Sequence, residues 1–143
     1  MAVTLNPYLN FRDNAAEALA FYASVFGGEP TTSSFGDYGM AQDPSEANKT
    51  MHGQLITPRG LTLMAADTPS TMPFTPGTNI SVSLSGGSED DAELRGYWDT
   101  LTGEGGSVTV PLEVAPWGDS FGMCTDRFGI AWLVNIGGAG QPQ

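Results

Sequence analysis

His52 is the only imidazole in the chain and Cys124 the only thiol. His52 has two readings. It is a ligand or general base at a binding cleft, or a strand histidine whose ring nitrogens are already hydrogen-bonded. Gln54 lies two residues on, so both side chains leave one face of a strand. Cys124 reads as a small buried hydrophobe. A nucleophilic thiolate needs positive surroundings, and Arg127 is the only cation near it in sequence. One cysteine excludes an intrachain disulfide and a cysteine-rich zinc site. No Ser-His-Asp order, P-loop, dinucleotide fingerprint or HExxH motif is present.

The remaining candidates are polar or aromatic residues at strand spacing. Thr62 and Met64 alternate with Leu61 and Leu63. Asn79, Ser81 and Ser83 alternate with Ile80, Val82 and Leu84, and Asn135 is the polar residue of an apolar final stretch. A few amides and hydroxyls in an apolar cavity suit the orientation of a small ligand. The same residues also suit an exposed strand face. Trp117, in a Pro-Trp-Gly loop, is a candidate pocket wall, with Tyr8 and Phe121 as further lining. Trp98 and Trp132 read as core. Phe35, Tyr38 and Met40 are candidates for a lid. Asp126 and Arg127 read as turn residues.

The elements that must hold these residues come in two similar halves. In the first, Asn14 is a candidate N-cap with Glu17 three residues on. Ala15, Leu19, Tyr22 and Phe26 form an apolar helical stripe, and Gly27-Gly28 stops it. In the second, Ser88 is the candidate cap, with Asp90, Asp91 and Glu93 in the first turns. Leu94, Trp98 and Leu101 form the stripe. Strands are expected before each helix, over Val3 to Phe11 and Asn79 to Ser85. Three more follow each helix, at Glu29 to Phe35, Thr50 to Thr57 and Leu61 to Ala66, and at Ser107 to Val114, Phe121 to Thr125 and Ile130 to Ile136. Gly36 to Asn48 is expected to be a polar loop, and Asp67 to Thr78, with its prolines, a linker. The pattern predicts an α+β fold of two β-α-β-β-β modules, about 1–68 and about 79–138, within one domain spanning 1–143. Units of roughly 70 residues are too small to be stable alone. Pairing around a cleft and an ordinary α+β sandwich both satisfy the pattern.

Composition narrows the function classes. Sixteen acidic residues against five basic ones give a net charge of -11. That charge repels phosphate backbones and anionic membrane surfaces, so neither nucleic acid nor membrane is an expected partner. The longest apolar runs, such as Ile130 to Val134, fall far short of the ~20 residues of a membrane helix. Met1 to Pro7 has no basic or apolar signal region, and a cytoplasmic location is expected. Asn48-Lys49-Thr50 and Asn79-Ile80-Ser81 match the glycosylation pattern only by chance on that reading.

Asn6-Pro7-Tyr8-Leu9-Asn10-Phe11, then Asn14-Ala15-Ala16-Glu17-Ala18, Phe21-Tyr22 and Phe26-Gly27-Gly28, resembles the opening of PhnB-like proteins of the vicinal-oxygen-chelate (glyoxalase/bleomycin-resistance/dioxygenase) superfamily. Met51-His52-Gly53-Gln54-Leu55 with Leu63-Met64 resembles their middle. Trp117, Phe121-Gly122, Thr125-Asp126-Arg127-Phe128-Gly129-Ile130 and Trp132-Leu133-Val134-Asn135 resemble their end. The likeness runs in order over nearly the whole chain.

The resemblance implies paired modules forming a curved mixed sheet around a cleft, with helices on its outer face. It also implies a small-molecule ligand in that cleft and a homodimer. Members of the superfamily isomerise hemithioacetals, cleave catechols, open an epoxide or bind bleomycin, often with one divalent metal. Metal ligands in such relatives lie on the first and last strands of each module, at or beside Pro7, Met64, Asn79 and Leu133 here. None of these is an imidazole or carboxylate, and Asn6 and Tyr8 are no better. Asp119 stands where some relatives carry a histidine. The expectation is therefore a binding protein with no cofactor and no tightly bound metal. Its ligand-binding candidates are Tyr8, His52, Gln54, Met64, Asn79, Ser81, Trp117, Phe121 and Asn135, with His52 the one catalytic candidate. The alternatives are a lyase, isomerase or dioxygenase using His52 and a carboxylate across a dimer interface, or a sequestering protein for a cationic antibiotic.

Overall fold

The computed structural model describes residues 3–41, 43–77 and 79–138. Two compact units divide between Thr75 and Pro76. The first runs β1 (Tyr8–Phe11), α1 (Ala15–Phe26), β2 (Glu29–Ser34), β3 (Thr50–Ile56) and β4 (Thr62–Asp67). The second runs β5 (Val82–Gly86), α2 (Asp91–Leu101), β6 (Ser107–Val114), β7 (Ser120–Thr125) and β8 (Ala131–Ile136). The mixed sheet is thus two four-stranded sheets, ordered β1-β4-β3-β2 and β5-β8-β7-β6. In each, the first strand lies parallel to the last, and the last three form an antiparallel meander. Both are β-α-β-β-β modules, as the repeated pattern predicts.

One face of each sheet is covered by its helix. Helix α1 buries Ala15, Ala18, Leu19, Tyr22, Val25 and Phe26 on the sheet face that carries Leu9, Phe11, Leu55, Leu63 and Ala65. Helix α2 buries Leu94, Trp98 and Leu101 on the face carrying Cys124, Trp132, Val134 and Ile136. Alternation along the strands sends the intervening residues to the other face. A glycine lies beneath each helix. A Cβ on Gly53 would fall 2.4 Å from Leu19 Cδ1, and one on Gly122 2.8 Å from both Trp98 Cη2 and Leu112 Cα. Gly53 pairs with Ala65 and Gly122 with Val134, so the two glycines occupy the same place in the two modules.

Several sequence expectations are corrected. The first strands start late. Tyr8 is paired with Met64 and Val82 with Trp132, so residues much earlier run past the beginnings of β4 and β8. Val3, Leu5 and Ile80 are accordingly exposed. Asn14 and Ser88 do not cap through their side chains. Helix α1 is capped from a distance, by Asp67 at the end of β4, which accepts from Ala15 N–H (2.9 Å) and Thr50 N–H (2.9 Å). Helix α2 is preceded by a 3₁₀ turn, Ser88–Asp90. The loop after β2 holds two 3₁₀ turns, Gly36–Tyr38 and Pro44–Glu46. Of the expected N-terminal segment and linker, Met1, Ala2 and Thr78 lie outside the described residues.

The two turn-end residues Thr57 and Asp126 do matching work. The Thr57 hydroxyl accepts from Leu61 N–H at 3.1 Å. Asp126 does more than turn the chain. One oxygen accepts from Phe128 N–H (2.8 Å) and Ile130 N–H (3.1 Å), and the other from the Trp132 indole N–H (2.8 Å). A buried indole needs such an acceptor. Trp132 is 1% exposed, whereas Trp117 is 58% exposed. Trp132→Ala is expected to cost about 3–5 kcal/mol by the cavity it leaves. Trp132→Phe, which removes the indole donor from Asp126, should cost about 1–3 kcal/mol. Trp117→Ala should cost less than about 1 kcal/mol. Urea unfolding of the three variants measures this, and equal losses for Trp117→Ala and Trp132→Ala would refute the division into core and surface tryptophans.

An ion cluster ties the loop between β2 and β3 to the rest of the first unit. Lys49 pairs with Glu46 and reaches Asp13 at 2.6 Å. Buried Glu46 also accepts from Ser70 N–H (2.8 Å) and the Ser70 hydroxyl (3.0 Å). Lys49 first, and then the Ser70 N–H, hold the Glu46 carboxyl down at about 2, against an ordinary value of 4.5. The unfolded chain takes up this proton near 4.5, before the folded one does. The stabilisation is therefore complete above 4.5 and disappears as pH falls toward 2. The stability gap between wild type and Glu46→Gln should be constant from neutral pH down to about 5 and close below that. A gap that stayed level into acid, in denaturant titrations at stepped pH, would remove the ionised cluster as its source.

Candidate functional site

The sheet faces away from the helices carry most of the candidates. In the first unit one row crosses all four strands as Tyr8, Met64, Gln54 and Thr31. The neighbouring row holds Asn10 beside Ala66, and His52 beside Ser33. Tyr8 and His52 stand two strands apart, about 9.5 Å at normal strand spacing, and their rings bridge the gap. Tyr8 Oη lies 3.2 Å from His52 Nδ1, with ring centroids 5.7 Å apart. Tyr8 is exposed, while His52, Gln54 and Met64 are half-buried. Four of the sequence candidates thus share one face, and two of them touch.

The matching rows in the second unit are Ser83, Leu133, Met123 and Val110, then Ser85, Asn135, Phe121 and Glu113. Asn135 Nδ2 donates to Asp119 Oδ2 at 3.1 Å, and Gly138 N–H donates to the other oxygen of Asp119 at 3.1 Å. Asp119 therefore anchors the loop between β6 and β7 to the end of β8. Trp117, on that loop, meets the Phe121 ring edge-on at 5.7 Å. Trp117, Phe121 and Asn135 form a second group. Asn79 and Ser81 fall outside it, exposed in the segment before β5. Phe35 is half-buried at the start of the β2–β3 loop, and Tyr38 and Met40 are exposed within it.

Placing Gly53 on Gly122 sets Tyr8 against Ser83, His52 against Phe121, Gln54 against Met123 and Met64 against Leu133. The first module keeps a phenol, an imidazole and an amide where the second has a hydroxyl, a phenyl ring and a thioether. The Tyr8–His52 pair has no local signal, because it joins residues 44 apart through strand register. Asp119 was visible only as a departure from its relatives' histidine.

The resemblance in sequence implies a divalent metal, and the donors on the first and last strands do not suit one. The first and last strands offer Tyr8 with Met64 in one module and Ser83 with Leu133 in the other. Phenol, thioether and hydroxyl groups are poor substitutes for imidazole and carboxylate. Among the described residues no three His, Cys, Asp or Glu side chains converge as a metal site. Cys124 is buried, and its thiol is pushed up to about 11 by burial first and the nearby Asp126 second. It is a packing residue, not a nucleophile. Among the described residues no helix is long and apolar enough to cross a membrane.

Comparison with known proteins places this geometry. The family described as 3-demethylubiquinone-9 3-methyltransferase matches residues 3–135. The crystal structure of protein PA1353 from Pseudomonas aeruginosa is 36% identical, covers 96% of this chain and 99% of that one, and superposes with a TM-score of 0.77. The Bacillus cereus PhnB protein, a putative 3-demethylubiquinone-9 3-methyltransferase, is 23% identical over 94% of this chain and 99% of its own, with a TM-score of 0.69. A glyoxylase/bleomycin resistance protein/dioxygenase domain from Frankia sp. EAN1pec is 18% identical over 99% and 96% of the two chains, with a TM-score of 0.64. The last two are likenesses of fold. With its two β-α-β-β-β modules, a fold it shares with the glyoxylase/bleomycin resistance protein/dioxygenase domain, and its match over residues 3–135, the chain belongs to the family described as 3-demethylubiquinone-9 3-methyltransferase.

Proposed function

We propose that this chain is a metal-free small-molecule binding protein of the glyoxalase/bleomycin-resistance type, acting as a homodimer, with its ligand held on the helix-free sheet faces. The observation that carries the reading is the make-up of the first unit's rows. Half-buried His52, Gln54 and Met64 stand with Tyr8, and no charged side chain interrupts the row Tyr8, Met64, Gln54 and Thr31. Apolar surface with a few directional polar groups is the usual chemistry of a ligand site. The aromatic pair Trp117–Phe121 with Asn135 gives the second unit a similar surface. The donor sets argue against a metal-dependent lyase, isomerase or dioxygenase. Each sheet also ends in edge strands that a second copy would cover.

A thermal-shift screen of untagged protein tests the reading, using cationic glycopeptides beside neutral and anionic aromatic compounds. A true ligand at a hundred times its dissociation constant adds about 2.7 kcal/mol of stability. The shift should shrink in Gln54→Ala and in Trp117→Ala. Silence across the screen would remove the binding reading, and a response to the cationic compounds alone would replace it with antibiotic sequestration. About one transition-metal ion per chain by elemental analysis would restore the enzyme alternative. Light scattering should give twice the mass of one chain, and a single-chain mass at micromolar concentration would refute the dimer.

A further inference from the structure

We propose that the first sheet binds a neutral carbonyl oxygen on the Nε2–H of His52, and that Tyr8 is the positioning residue that fixes the imidazole proton there. The proposal rests on the reading of the chain as a small-molecule binding protein and names the ligand chemistry of one of its faces. Tyr8 Oη and His52 Nδ1 are 3.2 Å apart. The lone pair of a phenol is delocalised into its ring, so the group donates well and accepts poorly. An unprotonated imidazole nitrogen is a strong acceptor. The favoured bond therefore runs from Tyr8 O–H to Nδ1, and the ring proton of neutral His52 sits on Nε2. Among the described residues His52 makes its side-chain hydrogen bond through Nδ1, which leaves Nε2–H as an available donor.

Gln54 adds a second donor on the same face, two residues along β3. Met64, paired with both Tyr8 and Gln54, adds apolar surface between them. The His52 Nε2–H donates only, and with the Gln54 NH2 beside it the pair suits an oxygen acceptor, the Gln54 Oε1 remaining free to accept from an N–H on the same ligand. A cation meets the His52 N–H as a repelling dipole, and an anion meets the repulsion of a chain with net charge -11. A neutral ketone, ester or carboxamide oxygen remains. The second module holds Ser83, Phe121 and Met123 at the matching positions, so this capacity belongs to the first unit alone.

The single histidine makes the test direct, because its ring nitrogens give one unambiguous set of ¹⁵N signals. Without ligand, Nε2 should be protonated and Nδ1 should be an unprotonated, hydrogen-bonded acceptor. Tyr8→Phe should move the Nδ1 signal toward that of a free imidazole while leaving the melting temperature close to wild type. A proton on Nδ1 in the wild type, or no change in the variant, would overturn the role of Tyr8. Benzamide is then titrated, with benzoate and benzylamine as matched anion and cation. Benzamide alone should move the Nε2 signal, with binding weakened about 3- to 10-fold in Tyr8→Phe and in Gln54→Leu. Benzoate or benzylamine moving it as far, or benzamide leaving it in place, would overturn the carbonyl assignment. A ligand from the thermal screen that leaves His52 unmoved would keep the binding-protein reading and remove this one. The ligand-free nitrogen signals decide the Tyr8 role whatever either ligand experiment shows.

Discussion

The close seating of one helix on the third strand of each sheet is the constraint on which the rest depends. At Gly53 the space a Cβ would need is taken by Leu19, and at Gly122 by Trp98 and the backbone of Leu112. A side chain there would have to displace the end of Leu19 in one module, and the Trp98 ring and the β6 backbone in the other, a rearrangement that close-packed interiors tolerate badly. Fixing these glycines toward the helix fixes the parity of β3 and β7. A slip of one residue would turn every side chain over. His52 and Gln54 in one module, and Phe121 and Met123 in the other, are thereby committed to the free face. The candidate site is thus a consequence of helix packing on the opposite side of the same strand.

Much of this was legible in the sequence because the signals are local. Alternation at Val82, Ser83, Leu84 and Ser85 gave the two faces of β5. The stripes Ala15-Leu19-Tyr22-Phe26 and Leu94-Trp98-Leu101 gave the helices. What failed was long-range. The extent of β1 depends on where β4 begins, and nothing near Val3 or Leu5 reports that. The cap of α1 comes from Asp67, more than fifty residues downstream of the helix start, while the local candidate Asn14 makes no side-chain cap bond. Capping preferences describe which residues can cap, and tertiary structure decides which one does. The Tyr8–His52 pair was hidden for the same reason. Each residue was a candidate by type, and only register brings them together.

The two modules share a framework and differ on their free faces. Thr57 and Asp126 close equivalent turns, and Gly53 and Gly122 seat equivalent helices. Those positions hold the fold and tolerate little change in role. The rows facing away from the helices are free of that demand. There the first module carries hydrogen-bonding rings and an amide, and the second carries an aromatic pair with an amide held by Asp119. A repeated scaffold can differ in this way because the fully buried residues face the helix, where close packing restricts them most.

The same logic bears on the missing metal ligands. A metal site needs several anionic or imidazole donors converging from different strands, and such donors are costly to gather in a partly buried place unless the ion is there to compensate. The implied ligand positions hold Pro7, Met64, Asn79 and Leu133, and the strand pairs beside them are Tyr8 with Met64 and Ser83 with Leu133, none of which needs a compensating charge. The one imidazole has instead found a neutral partner, the Tyr8 phenol, across β4. That pairing gives Nδ1 of the half-buried ring a partner without any ion. It also sets the imidazole beside the Tyr8 ring, with centroids 5.7 Å apart. The free face of the first sheet thus gathers a phenol, an imidazole, an amide and a thioether, joined by a hydrogen bond between neutral rings rather than by charged donors.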